Sequence, residues 1–464
     1  MLYDLLYDYQ KKIVNDLAIY DSCALFMDVG TGKSITSLAL FEQKIMQKCC
    51  DKLLIVCLCA KIEEWKHDCE KWFPFHRVLV IDGKEKSKES FKKGDYDICI
   101  VNFEKTWRFT DLLRISGRTM IIVDESHKIK ESTTKVGDFM RKISFLTPYK
   151  VILTATPMGN GYIDLYNQLY FLGLLDISLK RFKEKHCIER LVYLPGTTPF
   201  KQIVSYKNTT ELDLLVNKYA RYYERKISDD LVPSEVMVPI KLEDKYNKIN
   251  RDRVYKDIVL DKISMKRIAL KSLCSGTIIG NALLDEDDKG LHREYQLNTY
   301  KLEWVKAFLE DFKERVVIFY MYDHQRDQLY EMITKKLKRH CARYCSEFKE
   351  KDIFDANDDC VILVQYKSGS TGVDWLKQSY IGIFYCLPDS YIEFYQAKGR
   401  LNRVGQTKKP LYYLLVSQSK YCVDMMNYEA LMNKQDFNDE FFTEKMKQIK
   451  ENWHEYKLGF SDYN

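Results

Sequence analysis

Phe26-Met27-Asp28-Val29-Gly30-Thr31-Gly32-Lys33-Ser34 is the stretch from which the rest of the chain is read. A short apolar run, Ala24 to Met27, leads into it, and Ile35 to Ile45 leads out with apolar residues at helical spacing. A glycine turn between a strand and a helix has the chemistry of a phosphate-binding loop. Gly30 and Gly32 admit bare backbone N–H groups to a polyphosphate, Thr31 lies between them, Lys33 reaches the terminal phosphates, and the Ser34 hydroxyl ligates Mg2+. The phosphate then sits at a helix N-terminus, where backbone donors and the dipole favour an anion. Without its flanking elements GTGKS is only a flexible turn. Met27 stands where the full G-x-x-x-x-G-K-[ST] pattern has its first glycine.

Working outward, Leu53 to Leu58, Ile98 to Val101, Met120 to Val123 and Val151 to Leu153 are further apolar runs with helical or polar stretches between them. That alternation predicts an α/β fold with a parallel sheet covered on both faces, which binds ligands beyond the carboxyl ends of its strands. After Val123 come Asp124-Glu125-Ser126-His127. Asp124 is placed to hold nucleotide-borne Mg2+ and Glu125 to orient or deprotonate an attacking water; a solvated acidic turn is the alternative. After Leu153 come Thr154-Ala155-Thr156-Pro157, whose hydroxyls could relay the state of the γ-phosphate or simply make a turn. Leu2 to Tyr20 reads as an amphipathic helix, and the Gln10 amide on it could pair with one edge of an adenine or serve as a surface glutamine.

The middle, from Asp176 to Gln296, is less regular, with a helix expected from Asp244 to Leu273. Its Arg221-Tyr222-Tyr223-Glu224-Arg225-Lys226 is either a grip on a nucleic-acid backbone or a solvated helix face. A second alternation follows: Val316 to Tyr320, Val361 to Val364, Ile381 to Tyr385 and Tyr412 to Val416. It has no phosphate loop of its own. It offers Ser368-Gly369-Ser370-Thr371-Gly372-Val373-Asp374, then Gln396-Ala397-Lys398-Gly399-Arg400-Leu401-Asn402-Arg403. Arg400 and Arg403, three apart on an expected helix, would share a face. One could act on a nucleotide as an arginine finger, or both could make surface ion pairs. Phe442, Met446, Ile449, Trp453 and Tyr456 mark one apolar helix face near the end, expected to brace the rest, with a partner site as the lesser reading.

Composition sets the limits. With 464 residues, 46% of them hydrophobic and 30% charged, the chain is globular and suits two or three domains. Lys and Arg total 73 against 67 Asp and Glu, a net of +6, too mild a balance to argue nucleic-acid binding by itself. The 14 cysteines include no C-x-x-C pair, which removes zinc-ribbon spacing and suits a reducing compartment; His340, Cys341 and Cys345 are the only conceivable metal cluster. The acidic MLYDLLYDYQ is no signal peptide, and no apolar run is long enough to span a membrane. A soluble, cytoplasmic protein is expected.

In order along the chain, LYDYQ, DVGTGKS, DESH, LTATPMGN, SGSTGVD and QAKGRLNRVGQ resemble the motifs of the superfamily-two helicases, and within them the Swi/Snf-like double-stranded DNA translocases. The resemblance covers about residues 5 to 420. It implies two RecA-like lobes with parallel sheets, at 1–175 and 297–430, joined by a mainly helical linking region at 176–296 and followed by a brace helix at 431–464. It implies ATP and Mg2+ as cofactors. Gln10 would recognise adenine, Gly30 to Ser34 the phosphates, and Ser34 and Asp124 the metal. Lys33, Asp124, Glu125, Gln396, Arg400 and Arg403 would be catalytic, with Gly372 and Asp374 also at the nucleotide. DNA contacts would come from Lys61, Asn102, Lys105, Thr154, Thr156, Lys367, Ser368 and Thr371.

The chain departs from the family pattern at LCAKIEEW, which lacks its proline and serine, at Asp374, where asparagine is usual, and at Ser370, where glycine often stands. The resemblance implies a monomeric ATP-driven motor on duplex DNA. A bare motor core suggests a bacterial or phage protein in replication, recombination or repair, in the host cytoplasm if phage-encoded, with a replication or recombination protein as possible partner. The alternatives are a strand-separating helicase on single-stranded DNA or RNA, and an ATP-gated clamp that recruits other proteins without moving.

Overall fold

In a computed structural model the chain is described over residues 2–159, 161–192, 200–224, 231–281, 292–366, 374–403, 405–419, 422–446 and 448. It divides into two compact units, Met1–Lys226 and Ile227–Asn464. Each is built on its own parallel sheet.

The first unit contains β1 (Ser22–Met27), β2 (Lys52–Cys57), β3 (Val78–Val80), β4 (Ile98–Asn102), β5 (Thr119–Asp124), β6 (Lys150–Thr154), a two-stranded hairpin of β7 (Cys187–Val192) and β8 (Phe200–Tyr206), and β9 (Ala220–Tyr223). Seven of these form a sheet in the order β3-β4-β2-β5-β6-β1-β9. Adjacent strands are parallel throughout. The strand residues alternate between two cores, as a period of two requires. Phe26, Leu54, Val56, Ile121, Val123 and Ile152 face one core, while Leu25, Leu53, Ile55, Met120, Ile122 and Leu153 face the other. Both faces are dry, which is why these strands read as unbroken apolar runs.

The second unit holds β10 (Ser234–Lys241), two antiparallel hairpins made by β11 (Val254–Tyr255) with β12 (Ile258–Val259) and β13 (Thr277–Asn281) with β14 (His292–Gln296), then β15 (Val316–Tyr320), β16 (Cys341–Tyr344), β17 (Val361–Gln365), β18 (Ile381–Phe384) and β19 (Leu411–Gln418). Its sheet runs β10-β19-β18-β15-β17-β16, again parallel. A separate core of Tyr246, Ile249, Leu270, Leu273, Ile278, Met426, Phe437 and Phe442 joins the helices flanking this sheet. Phe442 and Met446 pack there, in a helical stretch at 439–446. Ile449, Trp453 and Tyr456 lie outside the described residues.

Three expectations change. The segment at 176–296 is not mainly helical: β9 completes the first sheet and β10 edges the second, so the linking region is shared between the units. Pro239 fits β10 because that strand is at the sheet's edge. The helix expected over 244–273 is two helices, Tyr246–Asp252 and Ile263–Cys274, interrupted where Arg253 and Lys256 take φ of 58° and 53° and the chain turns into the β11–β12 hairpin. Finally, Arg221, Tyr222 and Tyr223 lie on strand β9, with Arg221 bound to Asp16 at 3.0 Å and Tyr223 stacked on Tyr9 at 3.9 Å. Arg221 to Tyr223 are thus not on a helix and Arg221 is not a free cation, while Arg225 and Lys226 lie outside the described residues.

Candidate nucleotide site

Parallel strands bring β1, β5 and β6 side by side, so their carboxyl ends deliver the phosphate loop, Asp124-Glu125 and Thr154 to one edge of the sheet. After β1 the chain reverses through Gly30 and Gly32 at φ of 79° and 78°, then enters helix α2 (Lys33–Met46). A side chain at Gly32 would collide with Gln10, whose Nε2 lies 2.3 Å from where a Cβ would stand. The loop is drawn together around one carbonyl: Asp28 O accepts Thr31 Oγ1 at 2.7 Å and Lys33 Nζ at 3.0 Å. Met27 O accepts Lys33 Nζ at 2.9 Å. The ammonium is thus folded back on carbonyls of the loop, beside the helix N-terminus.

Gln10 lies on helix α1 (Asp8–Leu17) and is buried. Its Oε1 accepts the Tyr7 N–H at 3.0 Å and its Nε2 donates to Thr31 O at 3.1 Å. Gln10 thereby clasps the phosphate loop, and its amide, which was expected to read adenine, keeps a second N–H and a second lone pair. Tyr9 adds a second clasp, with its hydroxyl donating to the same carbonyl at 2.9 Å.

Asp124, at the mouth of β5, is 5% exposed. Its Oδ2 accepts the Trp65 indole N–H and its Oδ1 the Glu125 N–H, each at 3.0 Å. Burial raises its pKa, as does neighbouring Glu125, while Lys61, the Trp65 hydrogen bond and Lys33 work against them. Glu125 itself holds a left-handed backbone at φ 55°, ψ 53°, an arrangement that costs a non-glycine residue about 1–3 kcal/mol and is found at functional turns. Its Oε2 lies 3.2 Å from His127 Nδ1, and the same ring nitrogen is 3.4 Å from Thr154 Oγ1.

Sequence reasoning missed two of these groups. Trp65 stands on helix α3 (Ile62–Trp72), where an aromatic in an amphipathic pattern reads as core. Gln168 is fully buried: it accepts Ser126 Oγ at 2.7 Å and donates to Pro157 O and Asp164 O, each at 2.9 Å, tying the turn after β5 to the turn after β6. The available signal was a glutamine beside Asn167 within the largely apolar helix Ile163–Leu172.

Of the expected DNA contacts, Thr154 is fully buried, with its hydroxyl against His127 and the Thr156 N–H, so it has no surface to offer. Asn102 is 5% exposed and caps the turn Phe103–Thr106 by accepting the Lys105 N–H. Lys61 pairs with Glu64 at 2.7 Å, one turn from Trp65. Lys105 Nζ donates to Asp82 O at 2.7 Å at the surface. Lys367, Ser368, Thr371 and Gly372 lie outside the described residues, and Asp374 opens a short turn, Asp374–Gln378.

In the second unit Gln396 and Arg400 lie on the helix Tyr391–Leu401 and are buried. Arg403 does not continue that helix: Asn402 leaves it, and Arg403 Nε donates back to Gly399 O at 3.2 Å. Gln406 fixes this ending, donating to Lys377 O, Ser379 O and Leu401 O at 3.0 to 3.1 Å. The two arginines do not share a helix face, though both flank the same helix end. As for metal chemistry, His340 bonds Asp359 at 2.8 Å and Cys341 and Cys345 are buried; no group of three His, Cys, Asp or Glu side chains suited to a metal occurs among the described residues. Mg2+ needs none, because it is held by one or two oxygen side chains together with nucleotide phosphates and waters. The hydroxyl of Ser34 and the carboxylate of Asp124 fit that donor set.

The chain is 21% identical to the chromatin remodeling factor mit1 of Schizosaccharomyces pombe, over 88% of this chain and 31% of that protein. It is likewise 21% identical to the DNA repair and recombination protein RDH54 of Saccharomyces cerevisiae, over 92% of this chain and 52% of that one. It therefore spans from about a third to about half the length of these relatives. Among solved structures, the Sulfolobus solfataricus SWI2/SNF2 ATPase core in complex with dsDNA is 21% identical, covering 92% of this chain and 91% of that chain, at a TM-score of 0.43. The model of the SNF2-related domain matches residues 9–281, more than half of the chain. With that domain matched over more than half of its length, this chain belongs to the SNF2-related family.

Proposed function

We propose that the chain is a DNA-dependent ATPase that moves along double-stranded DNA, acting as a monomer in DNA replication, recombination or repair, and that it comes from a bacterium or phage. The observation that carries the reading is the convergence at one sheet edge of Gly30, Gly32, Lys33 and Ser34 with Asp124 and Glu125. The glycine-loop N–H groups and Lys33 bind the phosphates; for this Lys33 Nζ exchanges the carbonyls of Met27 and Asp28 for phosphate oxygens. Ser34 and Asp124 would hold Mg2+, which would supply positive charge to offset that of the phosphates. Glu125 orients the attacking water, and its link to His127 and Thr154 passes the state of the γ-phosphate to the turn after β6.

Gln396, Arg400 and Arg403 are catalytic as well, with an arginine to offset charge developing on the transferred phosphoryl group. Lys105, Lys367, Ser368 and Thr371, with Lys61 and Thr156, take the DNA backbone. Asn102 serves this surface by fixing Lys105. Contacts of this kind grip phosphates without reading sequence. The relatives' descriptions, chromatin remodeling and DNA repair and recombination, support DNA as the substrate.

Displacement of a third strand from a DNA triplex tests movement. ATP-dependent displacement is expected, and Lys33→Ala should abolish it while leaving the unfolding temperature within a few degrees of the parent. An intact triplex under steady ATP hydrolysis would make the protein a static clamp.

A further inference from the structure

We propose that Trp65 is a positioning residue that sets the Asp124 carboxylate for Mg2+ through its indole N–H. This rests on the reading of Asp124 as the metal-binding carboxylate. An indole has one N–H and no acceptor, so a tryptophan can form one ordinary hydrogen bond. Trp65 is 1% exposed and spends that bond on Asp124 Oδ2 at 3.0 Å. Oδ1 is held from the other side by the Glu125 N–H at 3.0 Å. With a donor on each oxygen, the plane of the carboxylate is fixed before any metal arrives. Each oxygen still has a lone pair to offer.

Packing alone does not call for this residue. The Trp65 ring lies in the core with Leu53, Ile55 and Met120, where a phenylalanine would supply the aromatic surface without bringing a polar atom inside. Lys61, just before α3, pairs with Glu64 and acts on Asp124 through its charge alone, whereas the indole on α3 donates a hydrogen bond to the carboxylate. Donors that orient a metal's carboxylate ligand from behind typically change metal affinity or activity by about ten- to a hundredfold when removed.

The test measures binding, on the full chain, of a fluorescent ADP analogue by polarisation as Mg2+ is titrated. Trp65→Phe should raise the Mg2+ needed for half-maximal effect about tenfold or more, while affinity for the analogue without Mg2+ stays as in the parent. Trp65→His keeps an N–H donor but fills the space worse. Positioning predicts that His lies closer to the parent in Mg2+ requirement than Phe, whereas a packing role predicts the reverse order. Phe73→Leu, in the same core but away from Asp124, should lower the unfolding temperature without moving the Mg2+ midpoint. Asp124→Asn should lose the Mg2+ effect entirely; if it does not, the metal assignment itself fails. If Asp124→Asn loses the effect and Trp65→Phe titrates like the parent, the positioning role is overturned.

Discussion

Gly32 carries two constraints at once. Its φ of 78° strains any L side chain, and a Cβ would strike the Gln10 amide that clasps the loop. Gly32→Ala should therefore cost about 1–3 kcal/mol of stability and weaken nucleotide binding about tenfold or more; unchanged affinity by titration would remove the nucleotide from this loop. Lys150, at the opposite end of β6, is a different kind of burden. It is 5% exposed with its ammonium on Ser144 O, and burial pushes its pKa from the usual 10.5 down to about 8.

Below pH 8 the folded chain keeps that charge buried and the destabilisation is full. Between pH 8 and 10.5 the unfolded chain binds more protons, so stability from this group rises with pH. Lys150→Met should be more stable than the parent by about 2 kcal/mol at pH 7, with the advantage shrinking toward zero by pH 10.5, as read from urea midpoints.

At the scale of elements, most of both sheets was legible because strands buried on two faces are apolar without interruption. β1, β2, β4, β5, β6, β15, β17, β18 and β19 are all of this kind. Edge strands gave a weaker signal: β9 reads as a charged aromatic segment and β10 contains Pro239, since an edge buries less and leaves backbone groups unpaired. Phosphate-loop chemistry was legible for the same local reason, being fixed by glycines, lysine and serine within a few residues. The hydrogen bonds of Gln10, Thr154, Asn102 and Trp65 were not, because each depends on a partner elsewhere in the fold or on burial that spacing alone does not report.

Tertiary ties of this sort also hold the second unit. Lys301 and Asp424 form an ion pair at 2.7 Å with both side chains at most 1% exposed, and Asp424 Oδ2 accepts the Ser417 N–H as well. Burial is the largest influence and opposes the Lys301 charge, but Asp424, Cys386 and Cys274 together raise its pKa. Lys301→Met alone should cost about 3–5 kcal/mol by leaving a buried carboxylate, while Lys301→Met with Asp424→Leu should recover most of the loss. Equal losses in chemical denaturation for the single and double variants would contradict the pairing.

For the whole molecule, one phosphate loop serves a chain with two parallel sheets. Under the proposed mechanism turnover needs Gln396, Arg400 and Arg403 as well as the phosphate loop. Duplex DNA is then the cue that joins hydrolysis to movement. The most direct measurement is the ATPase rate with duplex DNA, single-stranded DNA and RNA at matched salt, because phosphate contacts weaken steeply as ionic strength rises. Duplex DNA should stimulate turnover most, and Arg400→Ala should bring the stimulated rate down by about a thousandfold. Strong stimulation by single strands alone, or full turnover in Arg400→Ala, would contradict that mechanism.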